Sequence, residues 1–189
     1  MNNEIDKLIT NVKSGNLNDF ALLYQKMSKG VYALAFSILG DKPLAEDAIH
    51  ETFIRVKLMA NSYASGTNGT AWVLRITRNI CLNVLKKRKF EVNFSTNEQS
   101  PGFESIDHIS QKPEYAYDKK NEFENSIERF VLKEALNKLK DNERQIVLLY
   151  SVKGLKHHEI ADLLNIPKAT ERWQYRSAIG KLKNLLKNY

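Results

Sequence analysis

Basic and aromatic side chains near the C-terminus recur at a spacing that would place them on one side of a helix. This outward set comprises Lys168, Arg172, Trp173 and Arg176, with Thr170 between them as a further candidate. Arginine can donate two hydrogen bonds to the edge of a guanine, and lysine mainly neutralises phosphate. The opposite side repeats Tyr175, Ala178 and Leu182 and should pack inward. The pattern predicts a DNA-binding face, and a basic face that meets only solvent is the weaker alternative.

These side chains need a helix that can enter a groove of DNA, and the residues before them supply a frame for one. Asp141 is a suitable N-cap for a helix that runs to about Tyr150, and Gly154 then makes a turn. A second helix is expected over about 157–164, before the Asn-Ile-Pro sequence at 165–167 ends it and opens a third. Two helices joined by so short a turn let the second lie in the major groove. The spacing therefore predicts a helix-turn-helix.

Glu171 disagrees with this arrangement, because it falls on the inward side of the third helix. It precedes Tyr175 by four residues and Ala178 by seven. A buried carboxylate without a partner costs several kcal/mol. Two interpretations stay open: the carboxylate reaches the rim and pairs with a base such as Arg172 or Lys168, or the helix is rotated from this placement.

The charge of the chain is distributed in three blocks. Of the net +7 over 189 residues, residues 1–90 carry +6, residues 91–128 carry −6 and residues 129–189 carry +7. No apolar run approaches the ~18 residues of a membrane-spanning helix, and the N-terminus lacks a signal-peptide pattern, so we expect a cytoplasmic protein without membrane insertion. The single Cys81 excludes an internal disulfide and is expected to be a buried structural thiol rather than a redox sensor.

The acidic block separates two helical parts of the chain. Residues 91–126 contain Pro101, Gly102 and Pro113, and they show no sustained apolar period before about Phe123. Such a stretch cannot bury enough apolar surface to offset the entropy of ordering, so a flexible linker is expected. Helices are expected before it over about 18–39, 43–59 and 70–90. The predicted fold is all-α, with a helical domain at 1–90, an acidic linker at 91–126 and a helix-turn-helix domain at 127–189.

Two motifs in a fixed order carry a resemblance to a known family. They are LAEDAIHETFIRVKLM, followed by TAWVLRITRNICLNVLKKRK, and, after the acidic block, the helix-turn-helix. Over about 17–186 the chain resembles the extracytoplasmic-function sigma factors of bacterial RNA polymerase. The resemblance implies a factor that binds core RNA polymerase and directs transcription initiation at a subset of promoters, with an anti-sigma factor as a further candidate partner. A helix-turn-helix regulator that binds operators without core polymerase is the alternative.

In this family the segment equivalent to residues 45–53 docks on a coiled coil of the polymerase's largest subunit. The resemblance therefore implies polymerase contacts by Asp47, His50, Glu51 and Phe53. Acidic charge near the start of a helix also favours the helix dipole. That alternative accounts for Asp47, but it does not explain an exposed pairing of Glu51 with Phe53, so docking is the favoured interpretation.

Family members open the minus-10 promoter element with the helix that begins here near Thr70 and with the loop before it. Separating the strands unstacks bases, and the cost of a few kcal/mol for each base is recovered by stacking and hydrogen bonds. Tyr63 and Trp72 are expected to offer flat faces, although Trp72 is equally well explained as core. Hydrogen bonds and phosphate contacts are expected from Arg75, Arg78, Asn79, Asn83, Lys86, Lys87 and Arg88.

The helix-turn-helix resembles the family's reader of the minus-35 element, and the helix from Asp141 resembles its contact with the polymerase flap. The resemblance implies that the outward residues of the third helix bind the minus-35 element. Glu171 departs from the family's pattern, because Val is usual at this position. The sequence offers no nucleophile beside a base, no paired carboxylates and no His or Cys set at metal-binding spacing. We therefore expect neither enzymatic activity nor a metal or other cofactor.

Overall fold

A computed structural model describes residues 2–95, 132 and 134–187 of the chain. The chain divides into two compact units, an N-terminal one and a C-terminal one. Within these described ranges the regular structure is helical and contains no strand, so the predicted all-α class is confirmed. Residues 96–126 of the predicted linker lie outside the described residues, whereas residues 91–95 continue the last helix of the N-terminal unit.

The N-terminal unit is built from α-helices with well-defined local starts and stops. They are α1 (Asn2–Lys13), α2 (Leu17–Leu39), α3 (Lys42–Met59) and α4 (Gly69–Ser95), with a 3-10 turn at Ala60–Ser62. The Asn16 side chain caps the start of α2, and Gly40 at φ 65° ends it. Asp41 caps α3 by accepting a hydrogen bond from the Leu44 N–H at 3.0 Å. The predictions for α2 and α3 are confirmed, and α4 runs on to Ser95 instead of ending near Phe90.

The sequence analysis did not predict α1, although its apolar spacing is regular. Ile5, Leu8, Ile9 and Val12 recur at intervals of three and four residues, and all four are buried. Helix α1 lies against α2 and α4, where each of these side chains contributes roughly 1.5–3 kcal/mol of apolar burial. The fully buried residues around them include Leu23, Val31, Leu34, Val56, Val73 and Leu74.

The C-terminal unit contains the predicted helix-turn-helix. After a helical turn at 134–137 it consists of α5 (Asp141–Val147), a π-helical segment (Leu148–Val152), α6 (His157–Leu164) and α7 (Lys168–Leu186). The bounds predicted for the second helix are confirmed. The first helix differs in two ways, because Lys140 and not Asp141 is its N-cap, and its last turn widens into the π-helical segment.

The core of this unit joins α7 to the elements before it. One buried cluster comprises Ala135, Leu139, Val147, Ala178 and Leu182. The Arg144 guanidinium supports the helical turn at 134–137 by donating to the carbonyl oxygens of Leu136, Asn137 and Leu139 at 3.1–3.3 Å. The Leu136 carbonyl also accepts a hydrogen bond from the Leu139 N–H at 3.2 Å, and Arg144 adds side-chain donors to the carbonyls at the end of this turn.

No helix among the described residues combines the length and the apolar character needed to cross a lipid bilayer.

Candidate nucleic-acid interface

The outward face of α7 is open to solvent along its first two and a half turns. Lys168, Arg172 and Arg176 are exposed, Thr170 is half-buried, and Trp173 keeps 66% of its surface exposed. On the inward side Ala178 and Leu182 are buried, and Tyr175 is half-buried. The two faces therefore lie as the spacing predicted. An exposed cationic face with a large unpaired aromatic is suited to the grooves and phosphates of DNA.

A short connection joins α6 to this helix. Asn165 follows α6 at φ 56°, and its N–H donates to the Ala161 carbonyl. Asn tolerates this left-handed conformation better than most residues. Pro167 is extended at the N-cap of α7, and its fixed φ suits a residue at the start of a helix. After this turn, the outward side of the N-terminal half of α7 is exposed, as a recognition helix requires.

Glu171 lies inside the unit, and both interpretations left open by the sequence are wrong. Its residue is 0% exposed, so the carboxylate does not reach the rim, and the helix is not rotated from the predicted placement. Oε1 lies 3.0 Å from Nδ1 of His157, at the start of α6. Among the described residues Oε2 accepts no hydrogen bond. This contact links the two helices of the helix-turn-helix through residues that lie 14 positions apart in the sequence.

Aromatic rings fix the orientation of the His157 imidazole. It stacks on Tyr150 with a centroid distance of 4.5 Å and an interplanar angle of 19°, and it meets the Tyr175 ring edge-on at 5.1 Å. His157, Tyr175, Arg172 and Arg176 line a shallow groove of about 230 Å³. One side of the imidazole is therefore tied to the buried carboxylate, and the ring also borders a groove that two arginines share.

A second buried carboxylate holds α7 from the side of α5. Glu143 is 5% exposed, and its oxygens accept hydrogen bonds from Lys181 Nζ at 2.7 and 2.8 Å and from Ser177 Oγ at 3.1 Å. It also accepts one from the Lys140 N–H, which caps α5. Burial alone would raise the pKa of Glu143, but the Lys181 hydrogen bond and the other donors lower it overall. Helix α7 is thus anchored by an ion pair to α5 and by the Glu171–His157 hydrogen bond to α6.

In the N-terminal unit, α4 presents a polar stripe. Arg75, Asn79, Asn83 and Lys86 are exposed and recur at intervals of four, four and three residues, so they share one side of the helix. Lys87 is also exposed. Arg78 is half-buried, and desolvation lowers the pKa of its guanidinium. These positions agree with the expected contacts to a separated strand, but their roles stay predictions.

Two of the expected minus-10 residues differ in position from what the sequence indicated. Tyr63 is 3% exposed, so the prediction that its ring offers an open stacking face is wrong. The ring packs on the half-buried Trp72 at 5.1 Å, and burial raises the pKa of Tyr63 to about 12. Arg88 does not lie on the exposed stripe, because it is directed towards Asp41 at the start of α3, with Nη2 3.4 Å from Oδ2. Aromatic packing and an ion pair within the unit hold these two side chains.

The loop before α4 is held by α1, which the sequence analysis missed. Oδ1 of Asp6 accepts hydrogen bonds from the Tyr63 hydroxyl at 2.6 Å and from the Gly66 N–H at 2.9 Å. Gly69 approaches α1 so closely that an added Cβ would lie 2.9 Å from Cδ1 of Ile9. The regular apolar spacing of α1 could have predicted the helix, but its contacts with a loop 60 residues away could not be read from the sequence.

Helix α3 carries the expected polymerase-docking residues on a surface of mixed character. Asp47 and His50 are exposed, and Glu51 is half-buried and pairs with Arg55 at 2.6 Å. The expected exposure of Phe53 is wrong, because it is 3% exposed and its ring packs against Phe20 and Tyr24 of α2.

Two apolar side chains that the sequence analysis did not name lie on the exposed side of α3. Ile54 is 55% and Leu58 75% exposed, at intervals of seven and eleven residues from Asp47, which places them along one side of the helix. We call the set of Asp47, His50, Glu51, Ile54 and Leu58 the α3 surface. Exposed apolar side chains beside acidic ones are typical of a protein-binding surface.

The described residues offer little for metal or redox chemistry. No group of three or more His, Cys, Asp or Glu side chains within them could hold a metal ion. Cys81 is 0% exposed, and burial raises the pKa of its thiol to about 12. A thiol of this kind reacts slowly, as expected for a structural residue.

Sequence comparison assigns both units. Two helical units, one ending in a helix-turn-helix with a cationic outward face, define a helical DNA-binding class. Sigma-70 region 2 matches residues 23–91, and sigma-70 region 4 matches residues 129–172. The RNA polymerase sigma factor SigM of Bacillus subtilis is 28% identical over 87% of this chain and 91% of that protein. SigW of the same species is 27% identical over 97% of both. The chain belongs to the extracytoplasmic-function sigma factors.

Solved structures share the fold. A sigma factor RpoE from Bartonella quintana, crystallised with the anti-sigma factor NepR, is 23% identical, with a TM-score of 0.64 over 89% of this chain and 97% of that one. CnrH, solved in complex with the cytosolic domain of CnrY, is 16% identical, with a TM-score of 0.63 over 98% of both chains.

Proposed function

We propose that this chain binds core RNA polymerase and directs transcription initiation at promoters that it selects through two separate surfaces. The observation that carries the proposal is that the chain has two exposed surfaces suited to nucleic acid. The polar stripe on α4 lies in the part that matches region 2, and the cationic face of α7 begins in the part that matches region 4. In this role the protein acts in the cytoplasm, performs no catalysis of its own and needs no cofactor. The polymerase supplies the chemistry.

The outward face of α7 reads the minus-35 element as duplex. Arg172 and Arg176 are placed to meet base edges, and Lys168 with Thr170 to hold phosphates, because a recognition helix contacts bases mainly through its N-terminal half. Trp173 adds an exposed apolar surface for sugar or thymine methyl contacts. The contacts of the buried Glu143 and Glu171 carboxylates with Lys181 and His157 keep this face in one orientation.

The stripe on α4 holds the separated minus-10 strand. Arg75, Asn79 and Asn83 can donate to bases or phosphates, and Lys86 and Lys87 neutralise the backbone. Trp72 is half-buried at the start of the same helix and presents its remaining surface beside the loop at 63–68. The buried Tyr63 ring packs against Trp72 and does not itself stack on a base.

The α3 surface docks on the polymerase. Asp47 and His50 supply charge and hydrogen bonds, and Ile54 and Leu58 supply the apolar centre that a specific interface needs. Replacing Ile54 with Asp should weaken core affinity by about tenfold or more, since it places a charge at that centre. Glu4→Ala is the matched control, because Glu4 lies on α1 and pairs only at the surface with Lys26.

The decisive experiment adds the purified chain to core RNA polymerase and maps transcription starts genome-wide. We expect starts that share upstream sequences near positions minus 35 and minus 10 and that depend on the added chain. Absence of any chain-dependent start would reject the proposal. An operator-binding regulator would instead bind promoter duplex tightly without polymerase, whereas this chain should bind it tightly only with core enzyme present.

A further inference from the structure

The loop at 63–68 joins the 3-10 turn to α4 and is largely exposed. Residues 64–67 are exposed, and Gly66 adopts φ 85°, so neither burial nor regular structure fixes this segment. An exposed loop of this kind ordinarily samples several conformations, and ordering it on binding costs free energy. Specific contacts are therefore needed to hold such a loop in one conformation.

Those contacts come from one side of α1. Asp6 bridges the two ends of the loop, since its Oδ1 accepts from the Tyr63 hydroxyl at 2.6 Å and from the Gly66 N–H at 2.9 Å. Thr10, one turn later, lies 3.0 Å from Ser65 through their hydroxyl oxygens. Helix α1 is itself fixed by its buried apolar face, so the loop is tied to a rigid support.

The same contacts reach the first turn of α4. The Tyr63 ring, whose hydroxyl is held by Asp6, packs on Trp72 at a centroid distance of 5.1 Å. Gly69, the first residue of α4, lies against Ile9 and the Asp6 backbone. Asp6 thus connects α1 both to the loop and, through Tyr63, to Trp72 in the first turn of α4.

We propose that α1, through Asp6, preorganises the loop at 63–68 for capture of the separated minus-10 strand. Asp6 is a positioning residue, because it acts on DNA only through Tyr63, Gly66 and Trp72. This inference rests on the proposed function of α4. It makes strand capture depend on a helix that has no part in the α3 surface or in α7.

The test uses the full chain bound to core polymerase and a fluorescent single-stranded oligonucleotide that carries the non-template minus-10 sequence. Asp6→Ala removes both hydrogen bonds and should weaken oligonucleotide binding by about fivefold to thirtyfold. Asp6→Asn keeps an acceptor oxygen at the same place and should restore most of the affinity. Glu4→Ala removes an acid from the same helix without touching the loop and should match the unmodified chain. Core affinity and minus-35 duplex binding should stay unchanged in all three variants.

Tyr63→Phe provides a second route if Asp6→Ala fails to fold, because it keeps the ring against Trp72 and removes only the hydroxyl. It should also weaken strand capture, and combining it with Asp6→Ala should cost less than the sum of the two single effects. The inference is overturned if Asp6→Ala or Tyr63→Phe captures the strand as well as the unmodified chain. It is equally overturned if Asn fails to rescue, or if core affinity falls in parallel. If the unmodified complex captures no more strand than core polymerase alone, the proposed function fails instead.

Discussion

Replacing His157 with Phe should destabilise the C-terminal unit by about 3 kcal/mol, because it leaves a buried carboxylate without its hydrogen-bond partner. Glu171 is 0% exposed, and its one hydrogen bond among the described residues is to Nδ1 of His157 at 3.0 Å. Phe keeps a ring that can stack on Tyr150 and removes only the hydrogen-bonding nitrogens. The cost therefore reports the carboxylate and not the loss of aromatic packing.

The partner substitution separates this explanation from a general loss of packing. Glu171→Val removes the buried charge and leaves His157 with 29% of its side chain in solvent, so the expected cost is only about 1 kcal/mol for the smaller side chain. The double substitution, His157→Phe with Glu171→Val, should be close in stability to Glu171→Val alone. The two effects would then be strongly non-additive, as expected for residues in direct contact.

Amide hydrogen exchange on the full chain is the appropriate assay, since it reports α6 and α7 separately from the N-terminal unit. At 1.4 kcal/mol for each factor of ten, His157→Phe should lower protection in α6 and α7 by at least about a hundredfold, while α2 and α4 stay unchanged. A loss of less than about tenfold would refute the reasoning. So would a double variant that exchanges as fast as His157→Phe.

Three further predictions concern DNA binding and pH. Arg172→Ala should cost about 1–3 kcal/mol at one minus-35 base pair and relax the base preference there, whereas Lys168→Ala should weaken all sequences alike and lower the salt slope by about one, as measured by duplex titration with the polymerase complex. Burial raises the pKa values of Tyr63 and Cys81 to about 12. The N-terminal unit should therefore lose stability as pH rises above about 9, because the unfolded chain loses these protons at lower pH than the folded chain. Tyr63→Phe should shift the onset of alkaline unfolding upward in a circular-dichroism titration. Burial would raise the pKa of Glu143, but its hydrogen-bond donors lower this pKa overall. The contribution of Glu143 to the free energy of unfolding is therefore present above about pH 4.5 and is lost as pH falls further. Glu143→Gln should make the acid unfolding of α5 and α7 less steep.

Local signals in the sequence were sufficient for α6 and α7 of the C-terminal unit. Gly154, Asn165 and Pro167 lie where a chain must turn, and the bounds of α6 follow from them. The two faces of α7 follow from spacing alone, because residues three and four positions apart lie on the same side of an α-helix. Helix α1 was equally readable, because Ile5, Leu8, Ile9 and Val12 recur at helical spacing.

Burial of single side chains could not be read in the same way. Phe53 and Tyr63 were expected at the surface, yet each is covered by an element distant in sequence: α2 covers Phe53, and α1 binds the hydroxyl of Tyr63. The partner of Glu171 lies in the preceding helix, and the choice of His157 depends on how α6 and α7 cross. Spacing gives the direction in which a side chain leaves its own helix, but not the neighbour that it meets.

The buried carboxylates that hold α7 respond to the solvent differently from the cations that it exposes. Dissolved ions screen exposed charges within about 8–10 Å at ordinary ionic strength, but they act much less on the contact between the buried Glu171 carboxylate and the partly exposed His157. Rising salt should therefore weaken the binding of α7 to a promoter and leave its orientation within the C-terminal unit unchanged. The affinity for DNA and the orientation of the helix depend on different charged groups.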